Sequence, residues 1–183
     1  MQDSQSGSTA QQSSVRDPQV TRPAYFTVGA VKFSLMSLTT LGLYELYWFY
    51  RNWTIIRDHQ QSQISPFWRA FFAPLWTFSM GTHFTREAKV QNMSLTLPVV
   101  ALGVLYLLLT ALWRLPDPYW LVSLLGFIPL LPFESAARRL NGNGQLAEPT
   151  YGRYSGWNIA WLVVGSLILL LAVIGTFLPD DAA

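Results

Sequence analysis

The sequence has 183 residues, of which 51% are hydrophobic and only 12% are charged, and its formal net charge is +2. Soluble domains carry about 25% charged residues, so this composition argues against an ordinary soluble domain and favours a membrane protein. The twelve Lys and Arg residues are spread through the chain, which argues against nucleic acid as a partner. Because the chain contains no cysteine, disulfides and thiolate metal sites are excluded.

The chain begins with a polar segment, residues 1–24, that is rich in Gln, Ser and Thr. It contains no apolar run from which a core could form, so we predict a disordered tail. Residues 180–183 form a short acidic tail with Asp180 and Asp181. The residues between the tails, 25–179, make up the predicted helical membrane domain.

Four apolar windows predict transmembrane helices at about 33–50, 95–113, 119–137 and 157–178. The fourth window is the strongest, because residues 154–179 contain no charged side chain and, as a helix, exceed the ~30 Å hydrocarbon core of a bilayer. The predicted fold class is therefore all-α, a polytopic helical membrane bundle with four transmembrane helices.

Residues 66–88 are rich in aromatic side chains but are interrupted by Arg69, Pro74 and His83. We predict an aromatic helix that lies in the membrane interface or is re-entrant, and a full span over 67–84 stays open. The window 33–50 has its own alternative, because Gly42 could let the chain turn back inside the membrane as a re-entrant segment.

The positive-inside rule sets the predicted orientation. With four spans, the two large loops carry eight basic residues and the opposite side carries four, which puts the loops in the cytoplasm and both termini outside. If residues 67–84 span the membrane, the N-terminus moves to the cytoplasm. The C-terminus is outside in both arrangements.

Residues 39–53 contain a Thr-x-Gly-x-Tyr-x-x-Tyr-Trp motif, made by Thr40, Gly42, Tyr44, Tyr47 and Trp48. In this motif the chain resembles an uncharacterised family of small bacterial multi-pass membrane proteins, a domain of unknown function. The similarity extends from about residue 25 to residue 178. It implies a helical membrane architecture and a multi-pass location in the bacterial inner membrane, and it implies no activity.

Glu45 is the first candidate for a coupling group, because a carboxylate inside a span costs about 2.5–3.5 kcal/mol on insertion scales. One hypothesis is a carboxylate that couples proton or cation movement. The alternative is a structural Glu, hydrogen-bonded to a neighbouring span or paired with Arg69.

Three charged residues close the third predicted span, Glu134, Arg138 and Arg139. The four-residue spacing of Glu134 and Arg138 favours an ion pair. The two arginines are candidates for contact with anionic lipid headgroups, and Arg69 among its aromatic neighbours is another. The alternative is that the two arginines only set the orientation of the spans and that Arg69 only anchors its helix.

His83 and Glu87 are four residues apart, so a helix would bring them together. They are only weak candidates for a metal site, because a further ligand is needed. We therefore predict no metal and no cofactor, and no catalytic residue is indicated by a known motif.

The favoured function is a non-enzymatic membrane accessory or scaffold that contacts lipid headgroups or a membrane partner. One alternative is a small oligomeric transporter or channel that uses Glu45, and a third is a membrane enzyme acting on lipid or peptide. The expected partners are membrane lipids, with a protein partner or a second copy of the chain as further possibilities.

Overall fold

The structure, a computed structural model, describes residues 24–177. All regular structure in that part of the chain is helical, which confirms the predicted all-α class. The predicted tails lie outside the described residues, apart from Ala24. The α-helices are α1 Ala30–Thr39, α2 Leu43–Gln60, α3 Pro66–Phe71, α4 Ala73–Val90, α5 Val99–Ala111, α6 Leu131–Asn141 and α7 Gly156–Thr176, and 3-10 helices occupy Leu112–Arg114 and Tyr119–Leu130.

The predicted first span, 33–50, is wrong as a single helix. The chain breaks after α1 at Leu41 and Gly42, whose φ angles are +52° and +86°. The Gly42 amide donates to the Ser37 carbonyl at 2.8 Å, and the Thr40 hydroxyl accepts from the Tyr44 amide at 2.9 Å. The break follows from Gly42, because glycine adopts this left-handed conformation without a steric penalty.

The predicted aromatic helix over 66–88 is also two helices. α3 ends at Phe71, and α4 begins at Ala73 after a single junction residue, Phe72. Pro74 lies in the first turn of α4, where its missing amide costs nothing and its ring prevents α3 from continuing. The aromatic stretch therefore forms a corner instead of a straight rod.

The remaining predicted spans agree with the structure in position and differ in their ends. α5 begins only after Pro98, later than the predicted start at residue 95. The third span is a 3-10 helix that becomes α6 at Leu131, and it continues to Asn141. Pro129 and Pro132 lie on either side of the point where the helix changes type. α7 begins one residue before the predicted fourth span, 157–178, and ends at Thr176, while residue 178 is outside the described part.

Two helices in the described residues are long and apolar enough to cross a membrane, Tyr119–Asn141 and Gly156–Thr176. Ala30–Thr39 and Val99–Arg114 are apolar but shorter. A bundle with four membrane-length helices is therefore not what the structure contains. The two candidates differ in burial, because 44% of the most apolar window is buried in the first and only 6% in α7.

α7 packs against α1 through a glycine. Gly165 is the buried residue of α7, and a Cβ atom built on it would overlap the Thr39 carbonyl at the end of α1. Gly175 lies ten residues further along α7, and a Cβ atom built on it would have no neighbouring atom within 4 Å. Close backbone approach at a small residue is how membrane helices commonly associate.

We predict that Gly165→Ala destabilises the protein by about 1–3 kcal/mol, because the added methyl group must push two backbones apart. The measurement is thermal unfolding of the purified protein in detergent. Gly175→Ala is the matched control and should leave the unfolding midpoint unchanged. Equal midpoints for the two variants would contradict the α1–α7 contact.

Candidate functional site

An extended segment, residues 24–29, crosses one end of the bundle, and we call it the strap. Its central residues Tyr25 and Thr27 are fully buried, although no neighbouring strand pairs with their backbone. A buried peptide group without a partner costs about 1–3 kcal/mol, so these backbone groups need other partners. Side chains from two helices, α2 and α6, bind the strap backbone, and the Tyr151 amide donates to the Thr27 carbonyl at 2.8 Å.

Two asparagines each bind one strap residue at both backbone atoms. Asn52 on α2 accepts from the Phe26 amide at 3.0 Å and donates to the Phe26 carbonyl at 3.1 Å. Asn141 at the end of α6 accepts from the Tyr25 amide at 2.8 Å and donates to its carbonyl at 2.9 Å. Each amide side chain thus replaces one residue of a missing strand.

Glu134 holds the other end of the strap. Its Oε1 accepts from the amides of Val28 and Gly29, both at 2.8 Å, and its Oε2 accepts from the indole of Trp48 at 2.7 Å. The side chain is 1% exposed. The predicted ion pair with Arg138 is therefore not formed, because both oxygens are occupied and Arg138 donates to the Ala147 carbonyl at 2.8 Å instead.

The motif residues have distinct positions around this network. Thr40 and Gly42 form the turn between α1 and α2, Tyr44 is buried against Phe33, and Trp48 binds Glu134. Tyr47 is different, because 45% of it is exposed although its neighbours in the motif serve the core.

Glu45 lies in the first turn of α2 and is 6% exposed. Its carboxylate interacts with the hydroxyl of Tyr106 on α5 and faces Gly126, where a Cβ atom would lie 3.8 Å from both oxygens. This is the structural alternative of a hydrogen bond to a neighbouring helix. The other proposed partner, Arg69, lies elsewhere.

Arg69 is enclosed by two indole rings. Its guanidinium lies 4.3 Å from the ring centroid of Trp53 and 4.2 Å from that of Trp76. Cation–π contacts of this kind anchor α3 between α2 and α4. Of the arginines predicted to contact lipid headgroups, Arg139 has the exposed side chain, while Arg69 and Arg138 are half-buried in contacts within the protein.

His83 joins three elements instead of forming a metal site. Its Nε2 lies 3.1 Å from the Tyr25 hydroxyl, and its Nδ1 lies 3.3 Å from Nε2 of Gln60. Within residues 24–177, no group of three or more His, Asp or Glu side chains could hold a metal ion, so His83 and Glu87 lack the further ligand that they need.

A cleft of about 440 Å³ opens beside the strap, and we call it the cationic cleft. Lys32 on α1 donates to the carbonyls of Tyr151 and Arg153, both at 2.8 Å, and so fastens the loop before α7 to the bundle. Sequence inspection alone missed this cleft, because its walls come from segments more than a hundred residues apart. The lining residues are Phe26, Val28, Lys32, Tyr44, Tyr47, Pro149, Thr150, Tyr151, Gly152, Arg153, Ser155 and Asn158.

A second cavity, of about 290 Å³, lies between α2 and α3. Its walls are almost entirely apolar and include Leu46, Tyr50 and Phe67. Tyr47 lines both this cavity and the cationic cleft.

No protein-family model, no curated protein and no solved structure matches this chain.

We predict that Glu134→Gln destabilises the fold by about 1–3 kcal/mol, because a glutamine presents an N–H donor to one of the three donors that the carboxylate now accepts. Thermal unfolding in detergent and the rate of protease cleavage within the strap measure the effect. Glu148→Gln, a change at an exposed carboxylate, should alter neither quantity. A strap that is equally resistant to protease in both variants would contradict this role.

Burial lowers the pKa of His83 below its usual value, while the nearby Glu87 opposes that shift. The unfolded chain therefore binds a proton at mildly acidic pH that the folded chain does not. Stability should fall as the pH drops below about 6.5, by up to about 1.4 kcal/mol per pH unit, until the folded pKa is reached.

The unfolding midpoint at pH 7.5 and pH 5.5 measures this dependence. His83→Gln should show a smaller difference between the two values than the unchanged protein. An unchanged pH dependence in His83→Gln would contradict the assignment.

Proposed function

We propose that the protein is an integral membrane protein of the bacterial inner membrane with a non-enzymatic role, an accessory or scaffold that contacts lipid. The observation that carries the proposal is α7, a helix of 21 residues without a charged side chain. It is about 32 Å long, and nearly all of its surface is exposed. Soluble monomers rarely expose so large a continuous apolar surface, whereas a bilayer solvates it.

The contacts of α7 give the depth of the other helices. Gly165 lies nine residues after Gly156, or about 14 Å along the helix, which is near the middle of a bilayer core. Because Gly165 touches Thr39, the turn between α1 and α2 lies at the same depth. This supports the re-entrant alternative for residues 33–50, in which α1 enters the membrane and α2 returns to the side from which α1 came.

A re-entrant turn requires its backbone groups to be satisfied inside the protein. The turn meets this requirement with the hydrogen bonds from Gly42 to Ser37 and from Tyr44 to Thr40. Glu45 follows in the first turn of α2, where the positive end of the helix dipole favours a carboxylate. These contacts support a structural role for Glu45.

The same arrangement makes three crossings, by α5, by the 3-10 helix with α6, and by α7. Val99, the first residue of α5, lies beside Phe133 at the strap end, since both approach Gly81. Arg114, which ends the 3-10 helix after α5, lies about 22 Å further from the strap. Of the ten Lys and Arg residues in the described part, all except Arg114 then belong to the strap side. By the positive-inside rule the strap faces the cytoplasm and the end of α7 faces outside.

Two observations support a non-enzymatic role. The buried or half-buried titratable groups hold the fold, since Glu134 binds the strap, His83 binds Tyr25, and Glu45 meets Tyr106. Glu45 also lines neither of the two cavities described above, so no contact favours the conducting alternative. The motif's resemblance to small bacterial multi-pass membrane proteins agrees with the proposal.

Single-cysteine labelling tests the proposal, because the chain has no native cysteine. We expect the protein to resist alkaline carbonate extraction. In sealed inverted membranes, a membrane-impermeant maleimide should label Ala24→Cys, Gln63→Cys and Gln145→Cys but not Asp117→Cys. Gln63→Cys distinguishes this arrangement from a span over 67–84, which would put Gln63 outside. In right-side-out spheroplasts the pattern should reverse.

Two outcomes would contradict the proposal in different ways. Extraction by carbonate would exclude an integral membrane protein. Labelling of Ala24→Cys together with Asp117→Cys would exclude the re-entrant turn and restore the four-span arrangement, in which α1 and α2 cross the membrane together.

A further inference from the structure

The cationic cleft has the size and the position of a ligand site. Its volume of about 440 Å³ falls within the range of about 300–1,000 Å³ that is typical of small-molecule pockets. Its walls are formed by the strap, by α1 and α2, and by the loop that leads into α7. Because that loop and the strap are tied by Lys32 and by the bond from the Tyr151 amide to the Thr27 carbonyl, the cleft is a fixed part of the fold.

The charges around the cleft have one sign. Lys32 and Arg153 line it, and none of its lining residues is acidic. Lys32 is 5% exposed and uses two of its three N–H donors on carbonyl oxygens at 2.8 Å. The ammonium also lies 5.3 Å from the ring centroid of Tyr154. The Arg153 side chain is exposed, so its guanidinium is available to an anion.

A third cation stands beside the cleft. The Arg51 guanidinium lies 5.4 Å from the ring centroid of Phe26 and 5.9 Å from that of Tyr151, two rings that line the cleft. Its Nε atom is buried and has no hydrogen-bond partner. Arg51 is not among the lining residues, so its contribution is the positive charge that it adds beside the cleft.

The cleft changes character with depth. At the start of α7 it is polar, with Ser155 and Asn158, and towards the α1–α2 turn it is lined by the aromatic rings of Tyr44 and Tyr47. The start of α7 is the headgroup level in the proposed membrane arrangement, on which this inference rests. Tyr47 is 45% exposed and packs edge-on against Phe26 of the strap, with 5.6 Å between the ring centroids. In the proposed arrangement it lies where a headgroup meets the acyl chains.

We propose that the cationic cleft binds the phosphodiester headgroup of an anionic phospholipid from the cytoplasmic leaflet. The phosphate receives hydrogen bonds from Lys32 and Arg153, and the glycerol and upper acyl chain pack on Tyr47. This contact site differs from the one predicted from sequence at Arg69, Arg138 and Arg139, which lie outside the lining of the cleft.

Lipid retention tests the proposal on the full-length protein. The protein is reconstituted in nanodiscs of phosphatidylcholine with a minor fraction of phosphatidylglycerol, released into mild detergent, and examined by native mass spectrometry. We expect retained phosphatidylglycerol in preference to phosphatidylcholine. Arg153→Gln should lower that retention by about fivefold, the effect of removing one cation beside an anionic headgroup.

Arg86→Gln is the matched control, since it removes an exposed arginine from α4 and should retain lipid like the unchanged protein. Tyr47→Ala is a second variant at an exposed position and should also lower retention. Lys32→Gln is less suitable, because it also releases the loop before α7. Unfolding midpoints of each variant show that the fold is intact.

Three results would overturn the proposal. One is equal phosphatidylglycerol retention in the unchanged protein, Arg153→Gln and Tyr47→Ala, and another is equal retention of the two lipids. The third is displacement of the lipid by millimolar inorganic phosphate, which would assign the cleft to a free anion. If the protein still resists carbonate extraction in these cases, only the cleft assignment fails, and the proposed membrane role stands.

Discussion

The fold depends on a buried strip of backbone that has no strand beside it. The strap carries its peptide groups into the interior, and Asn52, Asn141 and Glu134 accept or donate the hydrogen bonds that a neighbouring strand would otherwise supply. These side chains come from two helices far apart in the sequence, so the strap can be buried only when α2 and α6 are correctly placed against each other. The hydrogen bond from the Trp48 indole on α2 to Glu134 on α6 requires the same placement of these two helices. One polar network therefore positions most of the bundle.

This constraint also explains why short helices occur where long spans are expected. The strap fixes where α1 begins, and Gly42 turns the chain after about 15 Å of helix, so that Asn52 on α2 returns to the strap. The corner at Phe72 has a similar consequence for the aromatic stretch, because α4 then brings His83 back to Tyr25. The turn at Gly42 and the corner at Phe72 thus bring polar side chains back to the strap end of the molecule.

The buried carboxylates and amides differ from the cations in how they are used. Glu134 and the two asparagines form hydrogen bonds with the strap backbone, and Glu45 is enclosed by α5 and Gly126. These buried polar side chains therefore have few hydrogen-bonding groups left for a ligand. The cations at the strap end are different. Lys32 and Arg51 lie beside an open cleft at the start of the exposed apolar helix α7. In the membrane arrangement proposed above, this is the level at which a charged headgroup would meet the protein surface.

The helical class and the approximate position of α7 follow from the sequence alone, because local composition identifies a long run without charges. It also marked Gly42 as a possible turn and the Pro74 interruption as a break in the aromatic stretch. Long-range contacts were needed to establish that residues 33–50 turn back, that Glu134 binds the strap instead of Arg138, and that Lys32 and Arg153 meet at one cleft. Those outcomes depend on contacts between residues up to 121 positions apart, and helical periodicity carries information only about neighbours within a few turns.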